Sequence, residues 1–197
     1  MIVIIPTAGS NLQSVGNALD RLEVKWEFSE SKSTIEKAHK VILPGVGSAA
    51  KAMDLLQKRD LCETIQKLKQ PTLGICLGMQ LFFSNSTEGS KKIPCLNCIP
   101  GTVEKIPQQA SFPVPHMGWN SLEHTENPSI FTQDLRNQYY YFVHSYFCSW
   151  SSAVTAYCEY NQKIPALVEY KNFIGMQFHP EKSSSQGQEL LRRFLSI

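Results

Sequence analysis

The residues best suited to chemistry are Cys76, His179 and Glu181. Cys76 sits in Gly74-Ile75-Cys76-Leu77-Gly78, between an apolar run that reads as a strand and a run that reads as a helix. This has the form of a nucleophile elbow with Cys in place of Ser. A sharp strand-to-helix turn pushes the side chain out of the sheet. Glycines two residues to either side permit close backbone approach. The start of the next helix favours a thiolate and supplies backbone N–H donors. Taken alone, the same five residues equally fit a buried structural cysteine at a glycine-flanked strand end. His179-Pro180-Glu181 follows the apolar run Phe173 to Phe178. A carboxylate two residues from an imidazole is suited to orient it and stabilise its charged form while the imidazole takes a thiol proton. By itself it also fits a surface turn held by Pro180. The pairing is the stronger signal, because strands about 100 residues apart in sequence can end at the same edge of one sheet. Pro44-Gly45-Val46-Gly47 closes another predicted strand. It is suited to turn a backbone N–H toward a tetrahedral intermediate, although an ordinary strand-to-helix turn fits the spacing as well. It lacks the Gly-Lys-Ser/Thr ending of a phosphate loop.

The elements that must position these groups follow from hydrophobic periodicity. Ile2 to Ile5, Val24 to Phe28, Val41 to Leu43 and Thr72 to Ile75 read as short buried strands. Between them, Leu12, Val15, Leu19 and Leu22 recur at helical spacing, with Asn11 as the expected N-cap. Ser33 to Glu36 has the pattern of a capping box. Residues 48–69 carry helical spacing, broken near Arg59-Asp60 into two helices. Residues 93–125 are rich in Pro, Gly and polar types with little helical pattern. Tyr139 to Val143, Ala153 to Tyr160, Ala166 to Tyr170 and Phe173 to Phe178 read as strands added antiparallel to the sheet. Gln186 to Leu195 reads as a closing helix. The expected fold is α/β: a wound, mostly parallel sheet flanked by helices, with antiparallel strands added in the C-terminal half. There is no linker or internal repeat, so residues 1–197 are expected to form one domain.

Composition narrows the function classes. The chain has 197 residues, 42% hydrophobic and 18% charged, which is ordinary for a globular protein and unlike a disordered one. Lys and Arg number 19 against 17 Asp and Glu, a net of +2, too balanced to mark a nucleic-acid face. No run approaches the roughly 18 apolar residues of a membrane span. Ile2 to Ile5 is too short for a leader and has no basic residue before it, so the expected compartment is the cytoplasm. The six cysteines are then expected to be mostly reduced. Cys95-x-x-Cys98 lacks two further ligands at zinc spacing, so no metal is expected. His116 and His144 lie among aromatics and read as packed or hydrogen-bonded.

The chain resembles the class I, triad-type glutamine amidotransferases over nearly its whole length. Within them it is similar to the glutaminase subunits of imidazole glycerol phosphate synthase. The residues that carry the resemblance are Asn11-Leu12-x-Ser14-Val15, Leu43 to Gly47, Gly74 to Gln80, Pro115 to Asn120, Tyr141 to Tyr146 and Gln177 to Ser183. Pro-Gly-Val-Gly, Pro-His-Met-Gly-Trp-Asn and Phe-Val-His-Ser-Tyr point to the histidine-biosynthesis branch; relatives of the anthranilate type carry Pro-Gly-Pro-Gly at the first. One stretch departs from the pattern. Pro6-Thr7-Ala8-Gly9-Ser10-Asn11 stands where many relatives have Asp-x-Gly-x-Gly-Asn.

The resemblance implies that Cys76 attacks the carboxamide of L-glutamine to give a thioester and ammonia. It implies that His179 is base and then acid, and that Glu181 orients it. Gly45, Val46 and Gly47, with the N–H of Leu77, would form or gate the oxyanion hole. Gln80, Tyr141 and Ser145 would bind glutamine, with no cofactor. Ammonia would pass to a (β/α)8-barrel cyclase in a 1:1 heterodimer, touching Asn11, Trp119 and Lys182. That cyclase would make imidazole glycerol phosphate and an aminoimidazole-carboxamide ribonucleotide. A partner also follows from the chain itself, which has a glutaminase motif set but no phosphate loop for an acceptor. Three alternatives keep parts of this picture: a paralogue serving surface-sugar biosynthesis, a non-catalytic regulatory subunit, and a free-standing hydrolase of γ-glutamyl peptides.

Overall fold

In a computed structural model, the structure describes residues 1–7, 12–89, 91–126, 129–135 and 138–197. The first half alternates strand and helix: β1 Ile2–Ile4, α1 Leu12–Asp20, β2 Trp26–Phe28, α2 Lys32–Lys37, β3 Lys40–Gly45, α3 Ala49–Lys58, α4 Cys62–Lys67, β4 Thr72–Cys76 and α5 Leu77–Leu81. The second half carries β5 Asn85–Ser86, β6 Ile93–Pro94, β7 Thr102–Lys105, β8 His116–Ser121, β9 Glu123–His124, β10 Tyr139–His144, β11 Tyr146–Cys148, β12 Val154–Glu159, β13 Lys163–Tyr170 and β14 Phe173–Met176. Helix α6, Ser184–Ser196, closes the chain.

The large sheet has the order β2-β1-β3-β4-β14-β13-β12-β9. Strands β1 to β4 and β14 pair in parallel, and β13, β12 and β9 follow antiparallel. This is the α/β sheet read from the sequence. The central strands are buried along their length, as near-continuous apolar runs require when helices cover both faces. The core divides between the two faces. Val3, Leu43, Met79, Phe82 and Phe83 pack on one, and Ile4, Ile75, Phe142, Phe178 and Phe194 on the other.

Four local expectations need correction. Phe173–Met176 runs parallel to β4, because the β12–β13–β14 meander reverses twice before it returns to the centre. Tyr139–His144 does not join the large sheet. It pairs with β8 in a separate antiparallel ribbon, burying Tyr140, Phe142 and His144 while the alternate residues face outward. Helix α2 is capped at Ser31, whose side chain makes no cap hydrogen bond and meets the Ser33 hydroxyl instead, so the capping box at Ser33 does not form. Strand β3 continues through Pro44 to Gly45, which lies opposite Cys76. The N-cap expected at Asn11 lies outside the described residues.

The turn at Cys76 depends on the absence of side chains around it. A Cβ on Gly78 would stand 1.7 Å from the Leu43 carbonyl oxygen, and one on Gly74 would stand 2.6 Å from the backbone nitrogen of Met79. Backbone cannot yield there without separating β3 from α5. Gly78→Ala is therefore expected to cost about 3 kcal/mol or more, lowering Tm by about 10 °C in a thermal melt.

Candidate active site

Cys76 ends β4 and stands immediately before α5. Its backbone has φ 52° and ψ −110°, a left-handed conformation that costs a non-glycine residue roughly 1–3 kcal/mol. The surrounding glycines and the fully buried strands hold that strain in place. It turns the side chain out of the sheet toward a cavity of about 410 Å³, within the size range of small-ligand sites. Val46, Gly47, Leu77, Gln80, Glu88, His144 and Ser145 also line this cavity. Gly47 has φ 99°, which frees the Val46–Gly47 peptide to turn. From behind, the Thr7 hydroxyl donates to the Pro44 carbonyl oxygen at 2.5 Å and pins this loop to the end of β1.

His179 and Glu181 follow β14, the strand beside β4. Their side chains are 2% and 1% exposed, and His179 Nδ1 lies 2.8 Å from Glu181 Oε1. A carboxylate only accepts, so Nδ1 carries the proton and Nε2 is the ring atom turned to the sulfur. Nε2 is buried without a hydrogen bond of ordinary geometry. Burial alone would depress the pKa of this imidazole. Hydrogen bonding and charge attraction to Cys76 and Glu181 outweigh that and raise it to about 10. The site thus holds a proton on the imidazole beside the sulfur, as the ion pair of a cysteine nucleophile requires.

The two other histidines are a different case. His144 Nδ1 lies 2.8 Å from the Tyr146 carbonyl oxygen and must donate to it. Its Nε2 then accepts from His116 Nδ1, 3.0 Å away. Burial lowers their pKa values, to about 4 for His116 and about 3 for His144. Both stay neutral, hydrogen-bonded and packed, with His116 stacked on Phe142 and Tyr160.

The other residues singled out from the sequence fall in two places. Val46, Gly47, Leu77, Gln80 and Ser145 line the cavity. Gly45 is buried in β3 against Leu77, where its missing Cβ lets α5 pack. Tyr141 is not among the described residues lining the cavity. It shares a face of β10 with Val143, which does line the cavity, but lies two residues further from it, where its ring meets Trp119 at 5.9 Å and lies under the Lys182 ammonium at 5.7 Å. Asn11 lies outside the described residues. Two residues at the site were given no role from the sequence, although Gln177 begins the stretch Gln177 to Ser183 that carries the resemblance. Glu88 reaches the cavity from the loop after β5, and its carboxylate accepts from the Ala49 backbone N–H. Gln177, one residue past β14, is wholly buried and donates to Cys76 Sγ at 3.7 Å. All six cysteines are free thiols. Among the described residues, no group of three or more His, Cys, Asp or Glu could hold a metal ion.

The glutamine amidotransferase class-I family matches residues 4–197. The chain belongs to that family. Its curated relatives include the imidazole glycerol phosphate synthase subunit HisH 2 of Legionella pneumophila strain Philadelphia 1, 46% identical over all of this chain and 98% of that one. They also include subunit HisH of Haemophilus influenzae, 45% identical over 98% of this chain and 96% of that one. Among solved structures, a glutamine amidotransferase superposes with a TM-score of 0.74 at 18% identity, covering all of this chain and 98% of that one. The glutaminase domain of Trypanosoma brucei CTPS, with bound acivicin, superposes with a TM-score of 0.66 at 14% identity, over 99% of this chain and 93% of that one. The fold of this amidotransferase is thus shared well beyond the reach of sequence identity. Among its described residues, no helix is long and apolar enough to cross a membrane.

Proposed function

We propose that the chain is the glutaminase subunit of an imidazole glycerol phosphate synthase. The observation that carries this reading is the strained Cys76 elbow, open to a cavity and backed by the buried His179–Glu181 pair. Glutamine enters with its carboxamide toward Cys76. The Glu88 carboxylate is suited to its ammonium group. Gln80 spends both side-chain N–H donors, on the Tyr146 carbonyl at 2.8 Å and on Gln177 Oε1 at 3.0 Å, which leaves its Oε1 as the atom it offers the same group. The Cys76 sulfur forms a bond to the carboxamide carbon, and the carbonyl oxygen takes up the charge. Backbone N–H groups of the Val46–Gly47 loop and Leu77 are the donors for that oxyanion. His179 gives its proton to the departing nitrogen, and ammonia leaves a γ-glutamyl thioester. Water, deprotonated by His179, then releases glutamate.

The partner is a (β/α)8-barrel cyclase in a 1:1 complex. Support for a docking face comes from the outer side of the β8–β10 ribbon, where Met117, Trp119 and Tyr139 are 62%, 53% and 55% exposed and continuous with Tyr141 and Lys182. This face lies directly behind the catalytic imidazole, since the His179 N–H donates to the Tyr141 carbonyl oxygen at 2.9 Å. Ammonia released there has a short way to an acceptor. One glutamine amidotransferase unit over residues 1–197, acting in the cytoplasm, completes the reading.

Trp119→Ala is expected to weaken the cyclase complex about thirtyfold, as loss of an exposed aromatic anchor does. Hydrolysis by the isolated chain should be unchanged; a binding titration and a glutaminase assay check the two halves. The reading as a whole is tested with 6-diazo-5-oxo-L-norleucine, a glutamine-like electrophile. One adduct at Cys76 by peptide mass is expected. An intact Cys76 after saturating exposure would overturn it.

A further inference from the structure

We propose that Gln177 is the hydrogen-bond donor that holds and stabilises the sulfur of Cys76 as a thiolate. The proposal deepens the glutaminase reading and rests on Cys76 as its nucleophile. The parallel register pairs Met176 with Ile75, so the next step along the chain brings residue 177 level with Cys76. The Gln177 backbone N–H continues the pairing to the Ala166 carbonyl oxygen at 2.9 Å, which fixes the start of the side chain. Its carboxamide is fully buried, so both ends of it must find partners.

The direction of that carboxamide is dictated from a distance. The Tyr146 carbonyl oxygen only accepts. It takes one hydrogen bond from His144 Nδ1 and one from Gln80 Nε2, each at 2.8 Å. Gln80 therefore presents its NH2 group on this side and donates also to Gln177 Oε1 at 3.0 Å. With its oxygen so engaged, Gln177 has only its NH2 left for the sulfur, and Nε2 lies 3.7 Å from Sγ. Turning the carboxamide over would set donor against donor at Gln80 and oxygen against sulfur at Cys76. A donor held in this way favours the charged form of the sulfur. The other near neighbour, the Val143 carbonyl oxygen at 3.8 Å, accepts only from the protonated thiol and favours the neutral form. Gln177 thus biases Cys76 toward the reactive state, separately from the proton acceptor His179.

The test is alkylation of Cys76 by iodoacetamide against pH, read by peptide mass, without glutamine or a partner. The thiolate displaces iodide, so the rate reports the ionised fraction. Gln177→Met keeps the length of the side chain and removes both amide atoms. The pH of half-maximal alkylation is expected to rise by about one unit, making alkylation about tenfold slower on the acid side of the profile. Gln80→Met, which frees the carboxamide to turn, is expected to move it the same way by less. A purely structural role would lower Tm and leave the half-maximal pH in place, and that result overturns the proposal. If Gln177→Met does not fold, the shift in Gln80→Met decides. A wild-type chain whose Cys76 never reacts would overturn the nucleophile itself, a failure distinct from an unshifted profile.

Discussion

Cys76→Ala is expected to abolish glutamine hydrolysis, by at least about a thousandfold, and to leave the fold intact. The loss is large because no other group at the site can form the thioester. The structural cost is small for specific reasons. The hydrogen bonds of the sulfur to Val143 and Gln177 are long, at 3.8 Å and 3.7 Å, and its interaction with the His179 imidazole serves the chemistry and not the packing. Alanine keeps the Cβ and inherits the same left-handed backbone, so the strain at the elbow is neither added nor relieved. A Tm within a few degrees of wild type, together with no ammonia release in a coupled assay, is the expected pair of results. Turnover within tenfold of wild type would remove Cys76 from the chemistry.

His179→Gln is expected to lower kcat by about a thousandfold, through loss of both the base for the sulfur and the acid for the departing nitrogen. Because the two residues act as one unit, the double variant with Cys76→Ala should lose no more than Cys76→Ala alone. The imidazole also gives a pH signature. Its pKa is raised to about 10 in the folded chain, against burial, by Cys76 and Glu181. A raised imidazole pKa stabilises the folded state fully below about pH 6.5, the ordinary histidine value. That contribution is lost as pH rises through about 10. Glu181→Gln removes one of the two partners that oppose burial, so the imidazole pKa falls. The alkaline limb of kcat/KM should move to lower pH, and the rate should fall about a hundredfold. A pH–rate profile in Glu181→Gln that overlays wild type apart from a scale factor would show that Glu181 does not govern this proton.

How much of this was legible in the sequence depends on the range over which each feature is decided. The Cys76 elbow was legible because Gly74 and Gly78 answer a clash within five residues of chain. Helices α3 and α4 and their break were legible because Asp60, at φ 55°, interrupts a local apolar period. The placement of Tyr141 was not. Period-two alternation states that Tyr139, Tyr141 and Val143 share a face, but which face is buried was settled by pairing with β8, more than twenty residues away, and by the Phe178 ring packed beneath Phe142. Glu88 and Gln177 were illegible as site residues for the same reason. Glu88 sits in a polar loop with no local pattern, and Gln177 acquires its partners only when β14 settles beside β4 and Gln80 turns toward it. The hydrogen-bonded His116–His144 pair likewise needs both strands of the ribbon, although the sequence marked these histidines as packed or hydrogen-bonded, as they are.

The measurement closest to the central claim is glutamine hydrolysis by the purified chain, alone and then with a histidine-pathway cyclase and that cyclase's nucleotide substrate. On the proposed function the oxyanion donors include a loop that carries Gly47 at φ 99° and that the Thr7 hydroxyl holds from behind through the Pro44 carbonyl oxygen, a loop whose rearrangement on docking would switch the site on. Slow turnover alone and a rise of two or more orders of magnitude in the complex, roughly 3 kcal/mol of barrier, is the predicted result. Equal rates in the two conditions would contradict a glutaminase that acts as the partner-dependent half of a synthase.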